Sequence, residues 1–149
     1  MIEIVHSRSV ESSPAEVWQV LADFHHLANW APGVSHSSAM IATPPGLGAA
    51  RRVQAGAIVL VETVVEWEPG RVLGYDMAGL PPLLGSASNR WMLAAIVSGT
   101  DIAITVGIEP RNSSLSKTVA RLVARRIAKA NRRMLDGLVA TVQQERPDS

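Results

Sequence analysis

A chain of 149 residues, 47% of them hydrophobic, can bury one substantial core without a cross-link, and having no cysteine it excludes disulfides, thiolate metal sites and a cysteine nucleophile. The net charge of +1 hides a split: residues 1–110 carry five Lys/Arg against ten Asp/Glu, and residues 111–149 carry nine against three. That distribution differs from the uniformly basic, aromatic-interleaved surface of a nucleic-acid binder. The N-terminus lacks the basic start and long apolar run of a signal peptide, and the longest apolar run, Met92 to Val97, is far below the roughly 18 residues of a membrane span. The expectation is therefore one domain over residues 1–149, cytoplasmic, with no nucleic-acid partner and no stable membrane insertion.

Residues 2–11 alternate weakly and predict a first strand. Ser13-Pro14-Ala15-Glu16 then opens a helix, with Ser13 as cap, Pro14 in the first turn and Glu16 reaching back. Apolar Val17, Val20, Leu21 and Phe24 continue it, and Pro32-Gly33 closes a second short helical segment after Trp30. The turn-rich stretch 43–48 separates predicted strands at 34–42 and 49–55. Glu68-Pro69-Gly70-Arg71 joins strands 57–67 and 72–79 into a hairpin. An apolar loop, Gly79 to Gly85, leads to a second hairpin of strands 86–97 and 101–109.

Beyond Pro110 the period changes, and one long amphipathic helix is predicted at 114–144. Val119, Val123, Ile127, Ala130, Met134, Leu138 and Val142 form its apolar arc, opposite Lys117, Arg121, Arg125, Arg126, Lys129, Arg132 and Arg133. Such a basic stripe is ordinarily a solvated face, and weak contact with an anionic membrane surface is the alternative. Together the elements define an α+β fold in which a curved antiparallel sheet of six or seven strands curls around the long C-terminal helix, with two short helices after strand 1.

The order of these elements, with Ser13-Pro14-Ala15-Glu16-Val17-Trp18, Asn29-Trp30-Ala31-Pro32-Gly33-Val34, Glu62 to Tyr75 and Trp91-x-Leu93 at their places, resembles the helix-grip (START-like, SRPBCC) superfamily. The polyketide cyclase/dehydrase-like branch, known from bacteria, is the part it is most similar to. The resemblance implies a cavity between sheet and helix that holds a lipid- or polyketide-like molecule. It leaves two functions open: carriage of that molecule, which is favoured, or a cyclase/dehydratase-type reaction on it.

Glu62 lies in Ala57 to Val65, a run apolar on both strand faces, so it is the most informative polar residue. A two-residue Pro69-Gly70 turn without a bulge pairs position 62 with 77 and 64 with 75, placing Glu62, Tyr75 and Met77 on one face. Either Glu62 faces the cavity, or it points outward and pairs with a cross-strand Arg. Trp67 differs in parity from Glu62 and is expected on the opposite face, whereas Trp30 and Trp91 are candidate wall residues. Arg90 is a third candidate for chemistry beside Glu62 and Tyr75, although pairing outward with an acidic neighbour is the stronger reading.

The expected ligand-binding set is Glu62, Tyr75, Met77, Leu60, Val64, Trp91, Trp30, Ile127 and Met134. Exchange of Glu62 for Gln is expected to leave the fold intact. No cofactor is expected, and the four histidines lack the spacing of a metal site. The chain is expected as a monomer or homodimer with a small hydrophobic molecule as partner.

Overall fold

The computed structural model describes residues 1–40 and 44–145. β1 (Ile2–Val10) leads into α1 (Pro14–Ala22) and a 3₁₀ segment (Phe24–Asn29). Six strands follow: β2 (His36–Ala39), β3 (Ala50–Ala55), β4 (Ile58–Glu68), β5 (Val72–Ala78), β6 (Ser86–Ile96) and β7 (Gly99–Glu109). A 3₁₀ turn (Pro82–Leu84) stands between β5 and β6, and α2 (Ser114–Glu145) ends the fold. The strands form one antiparallel sheet in the order β1-β7-β6-β5-β4-β3-β2. The helix lies against β1 and β7, with its first turns on the Pro82–Leu84 turn. No helix among the described residues is long and apolar enough to cross a membrane.

α1 starts where its capping box predicts. Glu16 N–H donates to Ser13 Oγ at 3.2 Å, and Ser13 N–H donates to Glu16 Oε1 at 3.3 Å. The strand predicted at 34–42 is ordered as β2 only over His36–Ala39; it is an edge strand that pairs with β3 alone. Its predicted end, and Thr43 of the adjoining loop, lie outside the described residues.

α2 buries a stripe rolled slightly from the predicted arc. Ala120, Ala124, Ala128, Asn131, Leu135, Leu138 and Val142 face the core, which is the spacing of four and three that keeps one seam on a partner surface. Val119, Val123 and Ile127 are half-buried at the flank, and Ala130 is exposed rather than on the apolar arc. The roll follows from size: the alanines let the helix axis approach the sheet, so the bulkier residues move to the sides. All seven cations are exposed, and Asp136 is paired with Arg8 of β1 at 2.8 Å. Gly137 marks the closest approach to the loop after the 3₁₀ segment, because a Cβ there would stand 2.4 Å from Pro32 Cδ and 2.8 Å from the Trp30 carbonyl. That contact holds Trp30 under the helix.

The β4–β5 hairpin has the predicted register at the site for a different reason. Glu62 pairs with Met77 and Val64 with Tyr75, but nearer the turn Glu66 pairs with Gly74 and Glu68 with Val72. The turn is one residue longer than predicted, closed by Arg71 N–H to the Glu68 carbonyl at 2.9 Å with Gly70 at φ 76°. A bulge at Val65 takes up the extra residue. The bulge also reverses the parity beyond it, so Trp67 lies on the inner face, edge-on to Trp18 at 5.1 Å, and not on the opposite face as its spacing from Glu62 suggested.

A buried polar cluster as the candidate functional site

Alternation along β3 places Arg51 on the same inner face as Val53, and pairing with β4 sets it directly opposite Glu62. Their side chains are 3% and 6% exposed, and Arg51 Nε donates to Glu62 Oε1 at 2.8 Å. Arg51 Nη1 donates to the Phe24 carbonyl at 2.7 Å, tying the 3₁₀ segment to the sheet. The guanidinium carbon stands 3.8 Å from the Phe24 ring centroid and 4.9 Å from that of Tyr75. The two expectations for Glu62 are thus partly joined: it faces inward, and it pairs with a cross-strand Arg. Such a pair is tolerable in the interior because each charge is satisfied by the other and by further polar and aromatic neighbours.

Tyr75 follows on the same face, opposite Val64 and edge-on to Phe24 at 5.8 Å. Its hydroxyl is fully buried and meets no partner in good hydrogen-bond geometry among the described residues, while the Trp91 and Asn89 side chains lie close enough to act on its oxygen as donors. Burial pushes the phenol from 10.0 up to about 12; Glu62 reinforces the shift, while Arg51 and the nearby Trp91 and Asn89 side chains oppose it. One strand further, Asn89 and Asn131 of α2 exchange two amide hydrogen bonds, at 3.1 and 2.8 Å, and lock helix to sheet. Trp91, on the same face, is edge-on to Trp30 at 6.2 Å.

The remaining residues of the expected set divide by depth. Val64, Met77 and Met134 are buried, whereas Leu60, Trp30 and Ile127 are half-buried and packed against the core. Arg90 does not join them. It turns to the outer face of the sheet, where Nε and Nη2 donate to the two carboxylate oxygens of Glu66 at 2.9 and 3.2 Å, because its neighbours Asn89 and Trp91 take the inward positions of β6. Among the described residues no group of three or more His, Asp or Glu could hold a metal ion. His26 Nδ1 lies 2.5 Å from Asp23 Oδ1 at the surface.

The centre of the interior, where an open chamber was expected, is occupied by Trp91, Tyr75, Phe24 and Leu84, none more than 1% exposed. The apolar loop from Gly79 to Gly85 is tied to the C-terminal segment: Ser116 Oγ donates to the Leu83 carbonyl and Arg111 Nε to the Pro82 carbonyl, both at 2.7 Å. Two shallow depressions lie elsewhere, lined mainly by outward-facing or turn residues: one by Gly70 to Val72 and Met92, the other by Asp76, Ser86 and Ser88.

Arg51 and Asn131 escaped the sequence reading, yet both left a signal. Arg51 shares strand parity with Val53, and Asn131 completes the spacing of Ala124, Ala128, Leu135 and Leu138. A polar residue on the buried phase of an otherwise apolar pattern is the mark that would have found each.

Because Tyr75 is the only tyrosine in the chain, its ionisation can be followed by the ultraviolet absorbance of tyrosinate. The folded protein should titrate near pH 12 and the denatured chain near 10. Since the folded pKa is the higher one, the stability linked to this proton is fully present below pH 10 and is lost as the pH rises from 10 to about 12. A folded-state midpoint near 10 would show that the hydroxyl is reached by water.

A seven-stranded antiparallel sheet curved against one long C-terminal helix, with a helical pair inserted after β1, defines a helix-grip protein. The chain belongs to the family described as polyketide cyclase/dehydrase and lipid transport, whose sequence pattern matches residues 1–143. No curated protein matches it in sequence.

Among solved structures, the chain is similar to a Thermobifida fusca protein at TM-score 0.78 and 23% identity, over 100% of this chain and 99% of that one. It is also similar to the ZhuI aromatase/cyclase from Streptomyces sp. R1128, at TM-score 0.75 and 16% identity over 96% and 94% of the two chains. The di-domain aromatase/cyclase BexL from the BE-7585A biosynthetic pathway gives TM-score 0.79 and 16% identity, over 98% of this chain and 51% of that one. At these identities the likeness is one of fold.

Proposed function

We propose that this protein binds a small hydrophobic molecule, lipid- or polyketide-like, between α2 and the inner face of the sheet, with the polar end of the ligand at Tyr75. Membership of a family that covers both polyketide cyclisation and lipid transport supports a hydrophobic ligand. The observation that carries the reading is the Tyr75 hydroxyl, which is buried on the inner face with no acceptor in hydrogen-bond geometry for its proton. A buried unsatisfied donor costs about 1–3 kcal/mol, and a ligand oxygen would relieve that cost.

Entry requires α2 to yield, and the Asn89–Asn131 pair is the buried side-chain contact between helix and sheet that would open as it does. Leu60, Val64, Met77, Trp30, Trp91, Ile127 and Met134 supply the apolar surroundings. A cyclase on the same site would use Tyr75 to hold a ketone oxygen, and the aromatase/cyclase folds are the reason to keep that reading. Carriage is favoured because Glu62, the candidate base, is already bonded to Arg51. Native mass spectrometry of the protein purified from cell extract should show a fraction carrying a non-covalent hydrophobic adduct. Protein that stays free of adducts after exposure to extracts rich in lipids and polyketides would refute the proposal.

A further inference from the structure

Three features around Tyr75 bear on what kind of polar end a ligand can have. First, Arg51 and Glu62 are the buried charges among the described residues, and they neutralise each other at 2.8 Å. Second, Arg51 is already engaged: Nε donates to Glu62, Nη1 donates to the Phe24 carbonyl, and the Phe24 and Tyr75 rings stand against its guanidinium. Third, the unused polar atom is a phenolic O–H, a neutral donor that keeps its proton throughout the physiological range. A carboxylate or phosphate brought here would leave water and find no uncompensated cation, a large penalty. A ketone, ester or quinone oxygen needs one donor, and one is present.

Resting on the binding reading above, we infer that the site selects ligands by an uncharged oxygen acceptor, received by the Tyr75 hydroxyl, and discriminates against anionic head groups. The amide pair of Asn89 and Asn131 beside it keeps both partners satisfied without a charge, which preserves the neutrality of the site.

Three probes of similar size separate the possibilities: acetonaphthone with a carbonyl, isopropylnaphthalene without an acceptor, and naphthoate with a charge. Binding is followed by isothermal calorimetry and by tryptophan fluorescence. Acetonaphthone should bind about tenfold or more tightly than either of the others, the equivalent of one well-made hydrogen bond. Tyr75→Phe, which keeps the ring and removes only the hydroxyl, should erase the advantage of acetonaphthone over the hydrocarbon, with circular dichroism showing the variant folded. Equal binding of all three probes, tighter binding of naphthoate, or a carbonyl preference that survives Tyr75→Phe would overturn the inference while sparing the binding reading. Binding of none of the three would overturn both.

Discussion

Replacing Arg51 by Met is expected to destabilise the fold by about 3–5 kcal/mol, because Glu62 is then left charged in an interior where it is 5% exposed. The loss has a second component: the Phe24 carbonyl loses its donor and the 3₁₀ segment its tie to β3. Glu62→Gln should be destabilising by the same logic, because it strands the guanidinium. The expectation from sequence that this exchange leaves the fold intact does not survive the discovery of the partner. Exchanging both residues, Arg51→Met with Glu62→Leu, should recover most of the loss, since a well-packed apolar pair often equals or exceeds a buried ion pair. Urea denaturation of the four proteins in a double-mutant cycle measures this. A single variant that costs less than about 1 kcal/mol would place the pair in contact with water.

Trp91→Ala should cost a comparable 3–5 kcal/mol, as expected when a large, fully buried side chain is deleted. It should also change binding in the opposite sense. Trp91 fills the middle of the interior against Trp30, so its removal leaves a void walled by apolar groups of the kind that stays dry and accepts small aromatic molecules. Naphthalene is expected to bind the variant more tightly than the parent and to return part of the lost stability in proportion to its concentration. Destabilisation without any gain in naphthalene affinity would mean that α2 collapses into the space.

Much of the architecture was legible because it is written in local patterns. The Ser13-Pro14-Ala15-Glu16 cap, the change of period after Pro110 and the Pro-Gly turn each depend on a few neighbouring residues, and each appears close to its predicted place. The site was legible only in part. Glu62, Tyr75 and Met77 do share a face, since period-two alternation decides that, but Arg51 lies eleven residues away and meets Glu62 only through the β3–β4 register. Asn131 and Asn89 are forty-two residues apart, and the roll of α2 that joins them is set by alanines that let the helix settle close to the sheet. Arg90 illustrates the limit: an arginine in a lining strand is equally compatible with either face until its neighbours Asn89 and Trp91 are seen to take the inner one.

The bulge at Val65 has a consequence for how this hairpin can tolerate change in length. At this length the longer turn and the bulge go together: a two-residue turn with no bulge would still set Glu62 opposite Met77 but would carry Trp67 to the outer face, away from Trp18. Deleting Val65 would remove the bulge and leave Glu62 and Trp67 four residues apart on one face of a regular strand, so that Glu62 stays opposite Met77 and Trp67 stays against Trp18. A related chain that lacks the residue at Val65 should therefore keep both contacts on a β4 of unbroken alternation.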